Sequence, residues 1–96
     1  LPPRIGLESV FALRVKGESM IEAGIIEGDI AIIHRQKVAN NGDIIAALLN
    51  NNETTLKILR HKNNAYFLEP ANKNYQPIYK SFTVIGKVIT VLRRYT

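Results

Sequence analysis

A chain of 96 residues is long enough for one small domain, and a second core would have too little apolar surface to bury. With 46% hydrophobic and 22% charged residues it has the balance of a packed globular protein, and with no cysteine it excludes a disulfide, a thiolate zinc site and a cysteine nucleophile. The basic residues behind the net charge of +5 are scattered along the whole length without a groove-reading element, so the charge reads as a solvated basic surface rather than a nucleic-acid interface.

The chain opens on Leu1, Pro2 and Pro3 rather than on methionine, which suggests a processed product or an excised domain. It shows neither the basic stretch and apolar core of a signal peptide nor an apolar run long enough to cross a bilayer, so a soluble protein without membrane contact is expected. Short β-branched stretches then alternate with Gly, Asn and charged turns, and no amphipathic helical stripe of any length interrupts them. Expected strands are Val10 to Val15, Asp29 to His34, Asp43 to Leu49, Thr54 to Arg60, Ala65 to Glu69 and Thr83 to Arg93. This is a mainly β pattern, with compact twisted antiparallel sheets in a small barrel-like fold.

Between the first two strands lies an irregular segment, Gly17 to Gly28, too long for a tight hairpin. Its Ser19 and Glu22 have the Ser-x-x-Glu spacing of a capping box, the local reading of that serine. Asn40-Asn41-Gly42 and Asn50-Asn51-Asn52 are turn signals, because Asn and Gly accept left-handed backbone angles, and the second makes residues 43–49 and 54–60 a hairpin. On the latter strand, alternation puts Thr55, Lys57 and Leu59 on one face, and a lysine so bracketed either snorkels to water or is drawn out of it. Gly86 inside the last strand marks a bend or bulge, and that strand is apolar on both faces.

Neither His34 nor His61 stands in a triad-like or metal-ligand context, so no metal or cofactor is expected. A lysine can replace histidine as the base for a serine if burial disfavours its ammonium form.

The run from Phe11 to Asp29 closely resembles the nucleophile segment of LexA-type repressors and their UmuD relatives. Gly17, Ser19, Met20, Gly24, Ile25, Gly28 and Asp29 match that family's Gly-x-Ser-Met-x-x-x-Gly-Ile-x-x-Gly-Asp signature. The likeness continues through Thr55-Leu56-Lys57, through Leu68, Pro70 and Asn72, through Pro77-Ile78, and into the closing Arg93-Arg94-Tyr95. It implies a self-cleaving serine protease domain with Ser19 as nucleophile, Lys57 as general base and the backbone N–H groups of Glu18 and Ser19 as the oxyanion site, Gly17 letting that loop pack closely. It also implies a cytoplasmic homodimer, activation by a RecA filament on single-stranded DNA, and DNA binding only through an N-terminal helix-turn-helix domain. That domain and the linker with the scissile Ala-Gly type bond have no counterpart here; Ala23-Gly24 lies inside the nucleophile motif. Residues 1–96 are therefore expected to be a single protease and dimerisation domain, with Val84, Ile85, Val88, Ile89 and Val91 at a dimer contact because exposed strand edges at a chain end pair readily.

Three alternatives keep different chemistry. A UmuD-like self-processing polymerase subunit shares the motif, although Phe11-Ala12-Leu13-Arg14-Val15 and the Arg-Arg-Tyr ending favour the repressor side. A phage-repressor dimerisation module would keep the fold without activity, against which both Ser19 and Lys57 are present. A signal peptidase would carry proline where Glu22 stands, together with a membrane anchor.

Overall fold

The computed structural model describes residues 9–95. Six strands, β1 (Val10–Arg14), β2 (Ile30–Arg35), β3 (Ile44–Leu49), β4 (Thr54–Lys62), β5 (Ala65–Glu69) and β6 (Phe82–Leu92), form one antiparallel sheet in the order β1-β2-β6-β3-β4-β5. The mainly β, antiparallel character follows from the alternation. Ile45, Ala47 and Leu49 of β3 pack with Leu59 and Leu68, while Ile44 and Ala46 pack with Ile33, Leu56 and Ala31 in a second apolar cluster. No helix among the described residues is long and apolar enough to cross a membrane.

β6 is not an edge strand. It lies inside the sheet, paired with β2 along one side and β3 along the other. Its apolar residues serve the two clusters, Ile85, Val88 and Val91 packing against one and Phe82 and Val84 against the other, each half-buried. The strand-edge basis for a dimer contact therefore fails. Of the five residues expected there, Ile89 is the exposed one, at 40%.

Gly86 marks a bulge rather than a break. Ala46 pairs with Gly86 and Ala47 with Val84, so Ile85 is the extra residue, and a second slip leaves Ile89 unpaired between Val88 and Thr90. A Cβ at Gly86 would stand 2.3 Å from the His34 carbonyl oxygen, so β2 can lie against β6 there only because the side chain is absent.

The Asn50–Asn52 hairpin forms as the residues indicate, with Asn52 in the left-handed region at φ 65° and Leu48 paired to Thr54. A second asparagine turn, Asn63-Asn64 at φ 54° and 63°, joins β4 to β5 in the two-residue hairpin geometry that suits strand twist. This turn lets β4 run to Lys62, two residues past the Arg60 expected from the sequence.

Candidate active site

The segment after β1 is pinched off by a pair of backbone bonds, Val15 N–H to the Asp29 carbonyl at 2.8 Å and Gly28 N–H to the Val15 carbonyl at 2.9 Å. Above this neck, Met20 and Ile25, at 2% and 4% exposure, anchor the loop in the core. Burying these two side chains supplies about 1.5–3 kcal/mol each, which fixes a segment otherwise poor in regular structure. A 3-10 turn, Ile21–Ala23, follows Met20.

The capping-box reading of Ser19 is wrong. Met20 occupies the N-cap position, no side chain caps the turn, and the Glu22 carboxylate accepts instead from the Lys73 N–H at 2.8 Å. Ser19 is thereby left for another partner: Lys57 Nζ, in the middle of β4, donates to Ser19 Oγ at 3.0 Å. The same amine donates to Thr55 Oγ1, two residues back on the same face of the strand.

Lys57 is 7% exposed, and none of the ion pairs among the described residues involves it. Burial pushes its ammonium below the ordinary lysine value, and the Glu53 carboxylate pulls the other way. The snorkelling alternative therefore does not apply to this lysine. Beside the pair opens a cleft of about 440 Å³, bounded by Leu13 to Gly17, Ser19 and Met20 on one wall and Glu53 to Leu56 on the other. Ser19 borders this cleft and Lys57 lies behind it, and a hydroxyl facing a cleft with a desolvated amine in contact is equipped for nucleophilic attack on a bound acyl group, with proton transfer over one hydrogen bond.

The other motif residues frame this pair. Gly17 adopts φ 76°, and a Cβ there would meet nothing within 4 Å, so its glycine answers to backbone handedness and not to close packing. Its N–H donates to Glu27 Oε1 at 2.9 Å, whereas the N–H groups of Glu18 and Ser19 take part in no hydrogen bond among the described residues. Gly24 closes the 3-10 turn, and Asp29, 1% exposed, is held by Arg93 and by the Ile26 N–H at 2.9 Å. Those bonds hold its carboxyl down to about 2. Val84, Ile85, Val88, Ile89 and Val91 lie on β6, outside the cleft wall.

Two contributors had no assigned role in the sequence. Arg93 leaves β6 to reach Asp29 and the Gly24 carbonyl, the latter at 2.7 Å, which is why β6 stops at Leu92. The segment after β5 grips the Ser19 loop from behind: the Ala71 carbonyl accepts from Glu22, and buried Asn72 donates from Nδ2 to the Glu18 carbonyl at 2.8 Å. Asn72 belongs to the Leu-x-Pro-x-Asn run, but its partner stands 54 residues away and leaves no local signal.

Residues 5–89 match the Peptidase S24-like family. The chain is 47% identical over 87 residues to the LexA repressor of Clostridium perfringens strain 13, covering 90% of this chain and 42% of the relative. It is 45% identical over 89 residues to that of Bacillus cytotoxicus, with 92% and 43% covered, and 47% identical over 91 residues to that of Caldicellulosiruptor saccharolyticus, with 94% and 45% covered. The chain thus spans less than half the length of these relatives.

Proposed function

The chain belongs to the Peptidase S24-like family, and from that premise we propose that it is the self-cleaving serine endopeptidase domain of a LexA-like repressor, with Ser19 as nucleophile and Lys57 as base. The observation that carries this reading is the 3.0 Å contact between Ser19 Oγ and the buried Lys57 Nζ.

In the reactive state Lys57 is neutral. Its lone pair takes the Ser19 hydroxyl proton as Oγ bonds to the scissile carbonyl carbon, and the resulting ammonium returns that proton to the departing amine as the peptide C–N bond breaks. Water, deprotonated by the same amine, then hydrolyses the acyl-serine. The carbonyl oxygen carries the charge of each tetrahedral intermediate, and the unpaired N–H groups of Glu18 and Ser19 are the donors available to it. Desolvation makes the base conditional: a peptide seated in the cleft would further exclude water from Lys57, so substrate docking and activation are linked.

Residues 1–96 act in this reading as one protease and dimerisation unit. The resemblance to LexA-type repressors supports an Ala-Gly type bond upstream as substrate, an N-terminal domain as the DNA-binding part, a homodimer as the working state, a RecA filament on single-stranded DNA as the trigger, and release of the SOS genes as the outcome. The test supplies in trans a linker peptide containing an Ala-Gly bond and follows cleavage against pH. Cleavage should rise with pH as Lys57 deprotonates and vanish in Ser19→Ala and Lys57→Ala; undiminished cleavage by Lys57→Ala would falsify the dyad.

A further inference from the structure

We propose that Asn72 is a positioning residue for the oxyanion site, acting by holding the peptide unit between Glu18 and Ser19 so that the Ser19 N–H faces the reacting carbonyl. This rests on the reading of Ser19 as nucleophile.

A trans peptide is planar, with its C=O and N–H pointing to opposite sides, and the described residues contain no cis bond. Fixing the Glu18 oxygen therefore fixes the direction of the Ser19 N–H. Asn72 Nδ2 donates to that oxygen at 2.8 Å from a side chain 8% exposed. Asn72 faces a different hollow, shared with Glu22, Glu69 and Tyr75, and is absent from the wall of the cleft that Ser19 borders. With the carbonyl turned toward Asn72, the N–H is turned the other way, and it donates to no other described residue.

The asparagine is itself locked. Its Oδ1 accepts from the Asn74 N–H at 2.9 Å, which assigns Oδ1 and Nδ2 without ambiguity, because only the amide nitrogen can donate to Glu18. Its neighbours dock on the same loop, the Ala71 N–H against Met20 Sδ at 3.4 Å and the Lys73 N–H on Glu22 at 2.8 Å. The Glu18 oxygen also accepts a longer bond from Ile21 N–H at 3.2 Å, part of the turn itself. Loss of Asn72 thus leaves the turn but frees the peptide plane to rock. Preorganised donors lose their advantage when they must reorient during the reaction.

Two variants separate this role from a structural one. Asn72→Asp keeps the acceptor for Asn74 and removes the donor to Glu18; Asn72→Ala removes both. With the Ala-Gly peptide in trans, both should lower kcat by about 10- to 100-fold, less than loss of a direct donor, with KM unchanged and, in the uncharged Asn72→Ala, the pH midpoint of the rate unchanged as well. Full activity in Asn72→Asp beside an impaired Asn72→Ala would overturn the proposal in favour of the Asn74 turn, and a moved pH midpoint in the uncharged Asn72→Ala would overturn it in favour of an effect on Lys57.

A measurement on the unsubstituted chain is independent of variant folding. A peptide aldehyde ending in alanine, forming a tetrahedral adduct on Ser19, should move the Ser19 amide proton downfield; an adduct that leaves that proton in place refutes the inference. If the unsubstituted chain neither cleaves the peptide nor forms the adduct, the serine protease reading is what fails. Cleavage that depends on Ser19 and Lys57 but not on Asn72 refutes the inference alone.

Discussion

Arg93 grips Asp29 with two hydrogen bonds of 2.8 Å, Nε to Oδ1 and Nη2 to Oδ2, across 64 positions of sequence. The planar guanidinium matches the carboxylate edge to edge, and its Nη2 also reaches the Gly24 carbonyl, so one side chain just past the last strand holds the segment that follows Ser19 at two points, Gly24 and Asp29. Asp29 has a folded value of about 2 against an ordinary 3.8. A carboxyl depressed by folding contributes stability that is complete above its unfolded value and is lost as pH falls through the folded one. Acid unfolding should therefore draw on Asp29 between about pH 4 and 2. In Arg93→Ala the midpoint of an acid titration followed by circular dichroism should move to higher pH; an unchanged midpoint would remove the clamp from the account.

Lys57 shares that slope, but here burial of the charged form costs stability where the Asp29 clamp contributes it. Its folded value lies below the unfolded one, so between the two the unfolded chain binds more protons and stability rises with pH. At lower pH the buried amine must either carry its charge at a cost or shed a proton. Lys57→Met should be inactive yet more stable than the parent at neutral pH, by on the order of 1 kcal/mol, with a flatter dependence of stability on pH in the alkaline range. Urea unfolding at neutral and alkaline pH measures both, and a Met variant less stable than the parent at neutral pH contradicts the cost assigned to this amine.

The base can be tuned without touching the dyad. Glu53 stands in the turn before β4 and favours the charged lysine. Glu53→Gln should carry the rising limb of the rate toward lower pH, with a plateau changed by less than about threefold, since the residue touches neither reacting group. A shift to higher pH would mean that the carboxylate acts by another route.

Packing at the centre of the sheet offers a stability test. Gly86→Ala places a methyl group against the His34 backbone, where neither strand can yield without breaking its ladder. The expected loss is about 3 kcal/mol, the upper part of the range for overpacking. A thermal midpoint within a degree or two of the parent would show that the bulges of β6 absorb the intrusion.

The strands were legible because alternation and turn chemistry are local. The Asn50–Asn52 hairpin and the bulge at Gly86 both follow from residue type, while boundaries shift at the unread Asn63-Asn64 turn and where a distant group intervenes, as where Arg93 leaves the sheet for Asp29. The site was legible through its resemblance to a known motif, not through physics read along the chain. Locally, Ser19 with Glu22 spells a helix cap and Lys57 spells a surface strand, and only the fold brings their side chains together. Asn72 and Arg93 act on partners 54 and 64 residues away, a separation at which no periodicity points from one residue to the other. β6 misled for the same reason: a strand last in order gives no hint that it belongs in the middle.

That central position has a consequence for the newborn chain. Ser19 hangs between β1 and β2 and Lys57 rides on β4, and within the sheet β6 alone bridges the two groups of strands. Until residues 82–92 are made, no ladder of the sheet joins the strands beside Ser19 to the strand that carries Lys57, and loop contacts such as that of Glu18 with Asn72 are what link the two sides. In the proposed reading, the order in which the strands emerge should therefore delay self-cleavage until residues 82–92 have been made.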